Sequence, residues 1–357
     1  MNIALHVSLS LVLLNSFVFA TPNIKTMVGQ MVMVGFEGQM PTETTPVLEA
    51  IEEGSVGGVL LLGRNIANGQ QLKTLTSTLQ ANAKRTPLLI AVDQEGGKVA
   101  RLNSNNGFET FVSAKEVATQ MSLEEASVLY GHMAKQLKVH GINYNLAPVV
   151  DIENPHSPII GDIGRSFSPH VTTVSLYAQA FAQAFARENI ATALKHYPGH
   201  GSATTDSHNT LTDVTDSWRF DELRPYYDFI QTNQAQSIMV AHVYLRQFDP
   251  NFPASLSKIL ITDILRERMG FEGVVISDDM LMKGVAQGFS FEERIIHAIN
   301  AGVDIVIVSD FYTQGMSVPE RIAKSVHEAI NRGEIKLQTL EEAYARILEF
   351  KKTLQTQ

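Results

Sequence analysis

Residues 87–93 read "PLLIAVD". Leu88 to Val92 are apolar without a break, in a run too short for a helix and lacking the apolar/polar alternation of a half-exposed strand. Such a run suits a strand buried on both faces, as in a parallel sheet covered by helices. Asp93 ends it with a charge that belongs at the edge of the core.

Working outward, seven more short apolar runs have the same character: "QMVMVGF" (30–36), "VGGVLLL" (56–62), "INYNLAP" (142–148), "IATALKHYP" (190–198), "QSIMVAH" (236–242), "GVVISDD" (273–279) and "VDIVIVS" (303–309). Between them lie segments of helical period, including Ser122 to His140, Val171 to Glu188, Ser257 to Met269 and Pro319 to Asn331. Alternation of this kind marks βα units around a parallel sheet. Eight strands predict closure into a single (β/α)8 TIM-type barrel, an α/β fold. An open doubly wound sheet shares the alternation, but no Gly-x-Gly-x-x-Gly turn follows the first strand to support a dinucleotide fold. The last segment, "LEEAYARILEFKKTLQ", reads as an amphipathic helix packed on the barrel.

The composition narrows the function. Of 357 residues, 44% are hydrophobic and 18% charged, enough for a large core. A net charge of -9 and the absence of a Lys/Arg run argue against a nucleic-acid partner, which needs a concentrated basic surface. With no cysteine there is no thiol catalysis, disulfide or thiolate metal site. The opening "MNIALHVSLSLVLLNSFVFATP" has no charged side chain, a Leu/Val-rich middle and Val18 and Ala20 ahead of Thr21. It reads as a signal peptide over 1–20, which implies a periplasmic or secreted protein with its barrel domain over 21–357 and no stable membrane insertion after cleavage. An uncleaved anchor or a buried first helix is the alternative, since the run approaches bilayer length.

Active sites of such barrels lie at the C-terminal ends of the strands. The predicted strands end in Asp93, in Lys195 and His196, in His242, and in Asp278 and Asp279. Singly, each has a structural reading as a helix cap or a satisfied buried residue. Convergence on one rim favours a site. Asp93 is followed by "QEGGKVAR", where Gly96 and Gly97 permit a tight turn close to a ligand and Arg101 supplies a guanidinium. Arg165 in "GDIGRSF" adds a second donor fork, with Gly161 and Gly164 allowing close approach. Carboxylates beside guanidinium groups suit neighbouring hydroxyls. "KHYPGHGSATTDSH" (195–208) can bury no apolar face, so its histidines and Asp206 need water, each other or a ligand. Zinc on His196, His200, His208 and Asp206 is disfavoured, because the spacing lacks a helical H-x-x-x-H and Lys195 would repel a cation. A hard ion held by Asp93, Asp206 and Asp278 is the other metal reading. The expectation is no metal and no cofactor.

"DQEGGKVAR", "GRSF", "KHYPGHGSATTDSH", "MVAHV" and "GFEGVVISDDM", in that order, resemble the family 3 glycoside hydrolases, in particular their bacterial β-N-acetylglucosaminidase branch. The resemblance runs over roughly residues 30 to 310. It implies a (β/α)8-type barrel and retaining hydrolysis of terminal β-linked N-acetylglucosamine from a carbohydrate substrate. Carried over by position, Asp278 is the nucleophile, His208 the general acid/base and Asp206 its partner; an imidazole titrating near neutrality suits that task. Asp93, Arg101, Arg165, Lys195 and His196 match the positions that hold the sugar's hydroxyls and N-acetyl group. Asp279 reads as structural. Lys98 stands where an arginine often follows the glycine pair. The leader departs from the branch's cytoplasmic muropeptide-recycling enzymes and directs the expectation to peptidoglycan, chitin fragments or other external glycans. The end of the chain soon after the barrel leads one to expect that the second α/β domain of larger members is missing. Phosphorolysis of the same linkage, or a barrel that binds sugar without chemistry, are the competing readings.

Overall fold

A computed structural model of the chain describes residues 23–207 and 210–354. Its centre is a closed barrel of eight strands: β1 (Val32–Val34), β2 (Gly58–Leu61), β3 (Leu89–Val92), β4 (Tyr144–Asn145), β5 (Ala191–Tyr197), β6 (Ser237–Val240), β7 (Val274–Asp279) and β8 (Ile305–Val308). All neighbours are parallel and follow in chain order, β8 closing on β1 through the pairs Val32↔Val306 and Val34↔Val308. Each strand lies inside the apolar run that predicted it. The TIM-type barrel is thus present, and its buried side chains form one continuous core.

β4 is shorter than its run because Pro148 has no N–H to give the ladder. The chain nevertheless stays beside β5: Val149 bridges Lys195, and the Pro148 carbonyl accepts from the Lys195 amide at 3.2 Å. That continuation delivers Asp151 to the rim.

The predicted helices appear as Leu123–Lys138, Val171–Ala186, Ile259–Arg268 and Val318–Asn331. Leu123–Lys138 begins where its sequence says it should: Ser122 accepts from the Glu125 amide, and Glu125 reaches back to the Ser122 amide, a capping box. Ile259–Arg268 is a π-helix rather than the α-helix its period suggested. The wider turn lets Arg266 reach the Gly302 carbonyl at 3.1 Å and Asp304 at 2.6 Å.

The closing helix, Leu337–Thr353, seals the opposite end of the barrel from the site. Phe350 meets Tyr144 edge to face at 5.3 Å, and the buried Lys351 donates to Gln30 Oε1 and the Gly57 carbonyl, both at 2.7 Å. The expected leader, 1–20, lies outside the described residues. Among those described, no helix is long and apolar enough to cross a membrane.

Candidate active site

The C-terminal ends of the strands surround a cleft of about 470 Å³ whose apolar wall includes Leu60, Leu146, Met239 and Ile307. Asp93, Arg101, Arg165, Lys195, His196, Asp206 and Asp278 all line it. His208 lies outside the described residues. The residues assigned from sequence to catalysis and sugar binding, His208 apart, therefore face one space, whereas His242 and His200 do not line it.

One wall is an alternating chain of charges. Lys195 Nζ sits between Asp93 Oδ1 at 2.8 Å and Glu95 Oε1 at 2.7 Å. Glu95 accepts two bonds from Arg165, at Nε and Nη2, both 2.8 Å, and Arg101 Nη2 reaches Asp93 Oδ2 at 3.3 Å. Burial alone would raise the carboxyls of Asp93 and Glu95. For Asp93 the charges of Lys195 and Arg101 reverse this, and for Glu95 those of Arg165 and Lys195, so both are held below their ordinary values. Conversely, burial opposes the charge on Lys195, but Asp93 and Glu95 raise its pKa. The wall is ionised and geometrically fixed before any ligand arrives.

Arg165 also positions His196. Its Nη2 lies 3.3 Å from His196 Nε2, and since a guanidinium only donates, that nitrogen accepts. Nδ1–H is then free to donate to Asp151 Oδ2 at 2.7 Å. Asp151 uses its other oxygen to accept from the His196 and His200 amides, at 3.2 and 2.7 Å. Both His196 ring nitrogens are thus engaged, and the guanidinium occupies the space a metal on Nε2 would need. Among the described residues no three His, Asp or Glu side chains gather as a metal cluster requires.

On β7, Asp278 Oδ1 accepts from the Asp279 amide at 2.8 Å. Asp279 ties the strand end down: its Oδ1 accepts from Leu281 at 3.1 Å and Ser309 at 3.0 Å, and its carbonyl faces His242 Nε2 at 2.9 Å. Burial raises the Asp279 carboxyl pKa. His242, with Ser255 2.7 Å from Nδ1, is a satisfied buried histidine that braces this end.

Several glycines serve the loops differently from the sequence reading. A Cβ on Gly96, at φ +97, would lie 2.4 Å from the Val112 carbonyl, and one on Gly161 would lie 2.0 Å from the Asn154 carbonyl. These glycines let loops cross the protein's own backbone rather than approach a ligand. Gly199, at φ +126, and Gly201, pressed on the Ile152 carbonyl, turn the chain out of β5.

Glu95 and Asp151 were missed from sequence. Glu95 could have been found by period, since residues two apart on an extended chain share a side and Asp93 was already assigned. Asp151 lies past Pro148, the end of the run 142–148.

The glycosyl hydrolase family 3 N-terminal domain model matches residues 23–350. The chain is 31% identical to the β-hexosaminidase A of Pseudoalteromonas piscicida, covering 88% of this chain and 56% of that one. It is 37% identical to the β-hexosaminidase of Tolumonas auensis, over 72% of this chain and 77% of the relative. Among solved structures, the family 3 β-N-acetylglucosaminidase of Paenibacillus sp. superposes with a TM-score of 0.86 at 30% identity, covering 94% of this chain and 63% of that one. The β-N-acetylhexosaminidase of Beutenbergia cavernae gives 0.83 at 29%, covering 94% and 100%. The chain thus spans little more than half of the Pseudoalteromonas enzyme and under two thirds of the Paenibacillus one.

Proposed function

The chain belongs to glycosyl hydrolase family 3, and from that premise we propose that it hydrolyses terminal β-linked N-acetylglucosamine from glycans with retention of configuration. The observation that carries this reading is the meeting, in one cleft, of the Asp278 carboxylate with a preformed wall of Asp93, Arg101, Lys195, Arg165 and His196. Fixed charged donors and acceptors suit a ring of hydroxyls and an N-acetyl group. The names of the relatives support the same substrate class.

Asp278 attacks the anomeric carbon as the glycosidic C–O bond breaks, and His208 passes a proton to the departing oxygen. Water, giving its proton back to His208, then attacks the same carbon and releases Asp278. Asp206 steadies the charged imidazole. The uncharged leader supports action outside the cytoplasm, on peptidoglycan or chitin fragments; periplasmic fractionation of the tagged full chain checks the location.

A chromogenic N-acetyl-β-glucosaminide should be cleaved and the matching glucoside much less. Asp278→Ala should abolish turnover with the fold intact, and azide should then yield the inverted α-glycosyl azide. Near-normal activity of that variant would refute the assignment of the nucleophile, and a glycosyl phosphate product formed in phosphate would replace hydrolysis by phosphorolysis.

A further inference from the structure

Asp206 and Ser207 lie in an irregular, small-residue stretch between β5 and the short strand Thr212–Asp213, so no helix or sheet ladder sets where they stand. Two contacts to Ser207 do. Its hydroxyl is 2.9 Å from His200 Nε2, and its carbonyl accepts from the Gly284 amide at 2.9 Å. Ser207 and His200 are each buried.

Both partners are themselves fixed. The His200 amide donates to Asp151 Oδ1 at 2.7 Å, the same carboxylate that holds His196 Nδ1. Burial first, and then the neighbouring His196, push the His200 pKa down to about 4, so its ring serves Ser207 as a neutral group. Gly284 begins just beyond β7, five residues from Asp279, and a Cβ there would lie 2.8 Å from the Ser207 carbonyl and 3.4 Å from His242 Cβ. Only glycine permits that approach.

We propose that His200 and Ser207 form a latch, seated on Gly284, that sets Asp206 in register with Asp278. Ser207 is tied on one side to the sugar-binding wall through His200 and Asp151, and on the other to the nucleophile's strand through Gly284. Neither His200 nor Ser207 lines the cleft. Both are positioning residues, acting through Asp206, and the inference rests on the reading of Asp206 and His208 as the acid/base pair.

The test measures kcat and KM for wild type, Ser207→Ala, Ser207→Thr, His200→Phe and the Ser207→Ala/His200→Phe double variant, beside His208→Ala. Each is run on an activated aryl N-acetyl-β-glucosaminide and on N,N′-diacetylchitobiose. A displacement of about 1 Å costs up to roughly 10²-fold in rate. Ser207→Ala and His200→Phe should therefore lose kcat/KM on chitobiose by up to that factor and little kcat/KM on the aryl substrate, whose first step needs no proton, while the water-attack step common to both slows kcat for each. Ser207→Thr, which keeps the hydroxyl, should recover most of the rate. The double variant should lose no more than the worse single, as one shared contact requires. Equal losses of kcat/KM on both substrates, additive losses, or wild-type kinetics in Ser207→Ala each overturn the latch. The wild type and His208→Ala carry the acid/base reading separately: if His208→Ala leaves the substrate ratio unchanged, that reading fails whatever Ser207 does. Should Ser207→Ala not fold, His200→Phe, which keeps the ring volume, decides the question alone.

Discussion

Glu222→Gln should stabilise the protein at alkaline pH and leave it unchanged in acid. Glu222 sits in the 3-10 turn Phe220–Leu223, buried beneath the start of the loop that follows β5. A Cβ on Gly199 would lie 2.4 Å from its Oε2, an atom with no hydrogen-bond partner. Burial pushes the Glu222 carboxyl up to about 7; the Ser202 hydroxyl and the Arg219 and Gly201 amides beside it offset this in part, while the Asp151 charge adds to it. The Tyr226 hydroxyl, also buried and without a partner, faces the same group. An acid whose pKa is raised in the fold binds more protons there than in the unfolded chain. Its stability contribution is therefore complete below the ordinary glutamate value of 4.5 and falls as pH rises through the folded value of about 7. That gap is worth about 3 kcal/mol at roughly 1.4 kcal/mol per pH unit. Glutamine has the same shape and no charge to bury. Urea unfolding of both proteins at pH 4.5, 6, 7 and 8.5 should show curves that coincide in acid and diverge by about 3 kcal/mol by pH 8.5. All other groups titrate alike in the two proteins, so only Glu222 enters the difference. A constant offset across that range, in either direction, would refute the buried neutral carboxyl.

Arg165→Lys keeps the charge but cannot span Glu95, the Ile159 carbonyl and His196 together, so it should cost about 1–3 kcal/mol of stability and raise KM, measured by urea unfolding and steady-state kinetics. His208→Ala should lose on the order of 10²–10⁴-fold in kcat/KM on leaving groups that need protonation and far less in kcat/KM on activated aryl glycosides. A uniform loss would make His208 structural.

The barrel was legible because each strand is buried on both faces, and so each announces itself as an apolar run independent of its neighbours. What did not show was anything that depends on where a chain goes after it leaves the ladder. Asp151 was lost because Pro148 was read as an end, whereas the carbonyls of Ala147 and Pro148 continue to pair with β5. Nothing in "TTDSH" says that His200 and Gly284 will meet Ser207. The glycines at 96 and 161 are sites of close approach, but what approaches them is the protein's own backbone at Val112 and Asn154 rather than a ligand. The period of Ile259–Arg268 is helical, yet the segment is a π-helix whose Arg266 meets Asp304, a tertiary contact its period does not encode.

The cost of the charged wall argues for its purpose. A buried lysine between two carboxylates is poor value for stability, because the desolvation of three ions consumes most of what their attraction returns. Hydrophobic side chains of similar size would hold the rim as well. The side chains grade in exposure from 32% for Arg101 through 17% for Asp93 to 9% for Arg165, 4% for Glu95 and 2% for Lys195. Arg101 and Asp93 therefore offer their outer atoms to the cleft, while Lys195 and Glu95 stand behind and fix them. A ligand meeting such a wall finds its donors and acceptors already aimed and ionised, and need not spend binding energy on ordering them. Positive and negative groups alternate along the wall, and Asp206 and Asp278 add further negative charge to the same cleft, so it presents strong local dipoles and no anion-binding field. Such an arrangement suits the hydroxyls of a polyol and disfavours a phosphate.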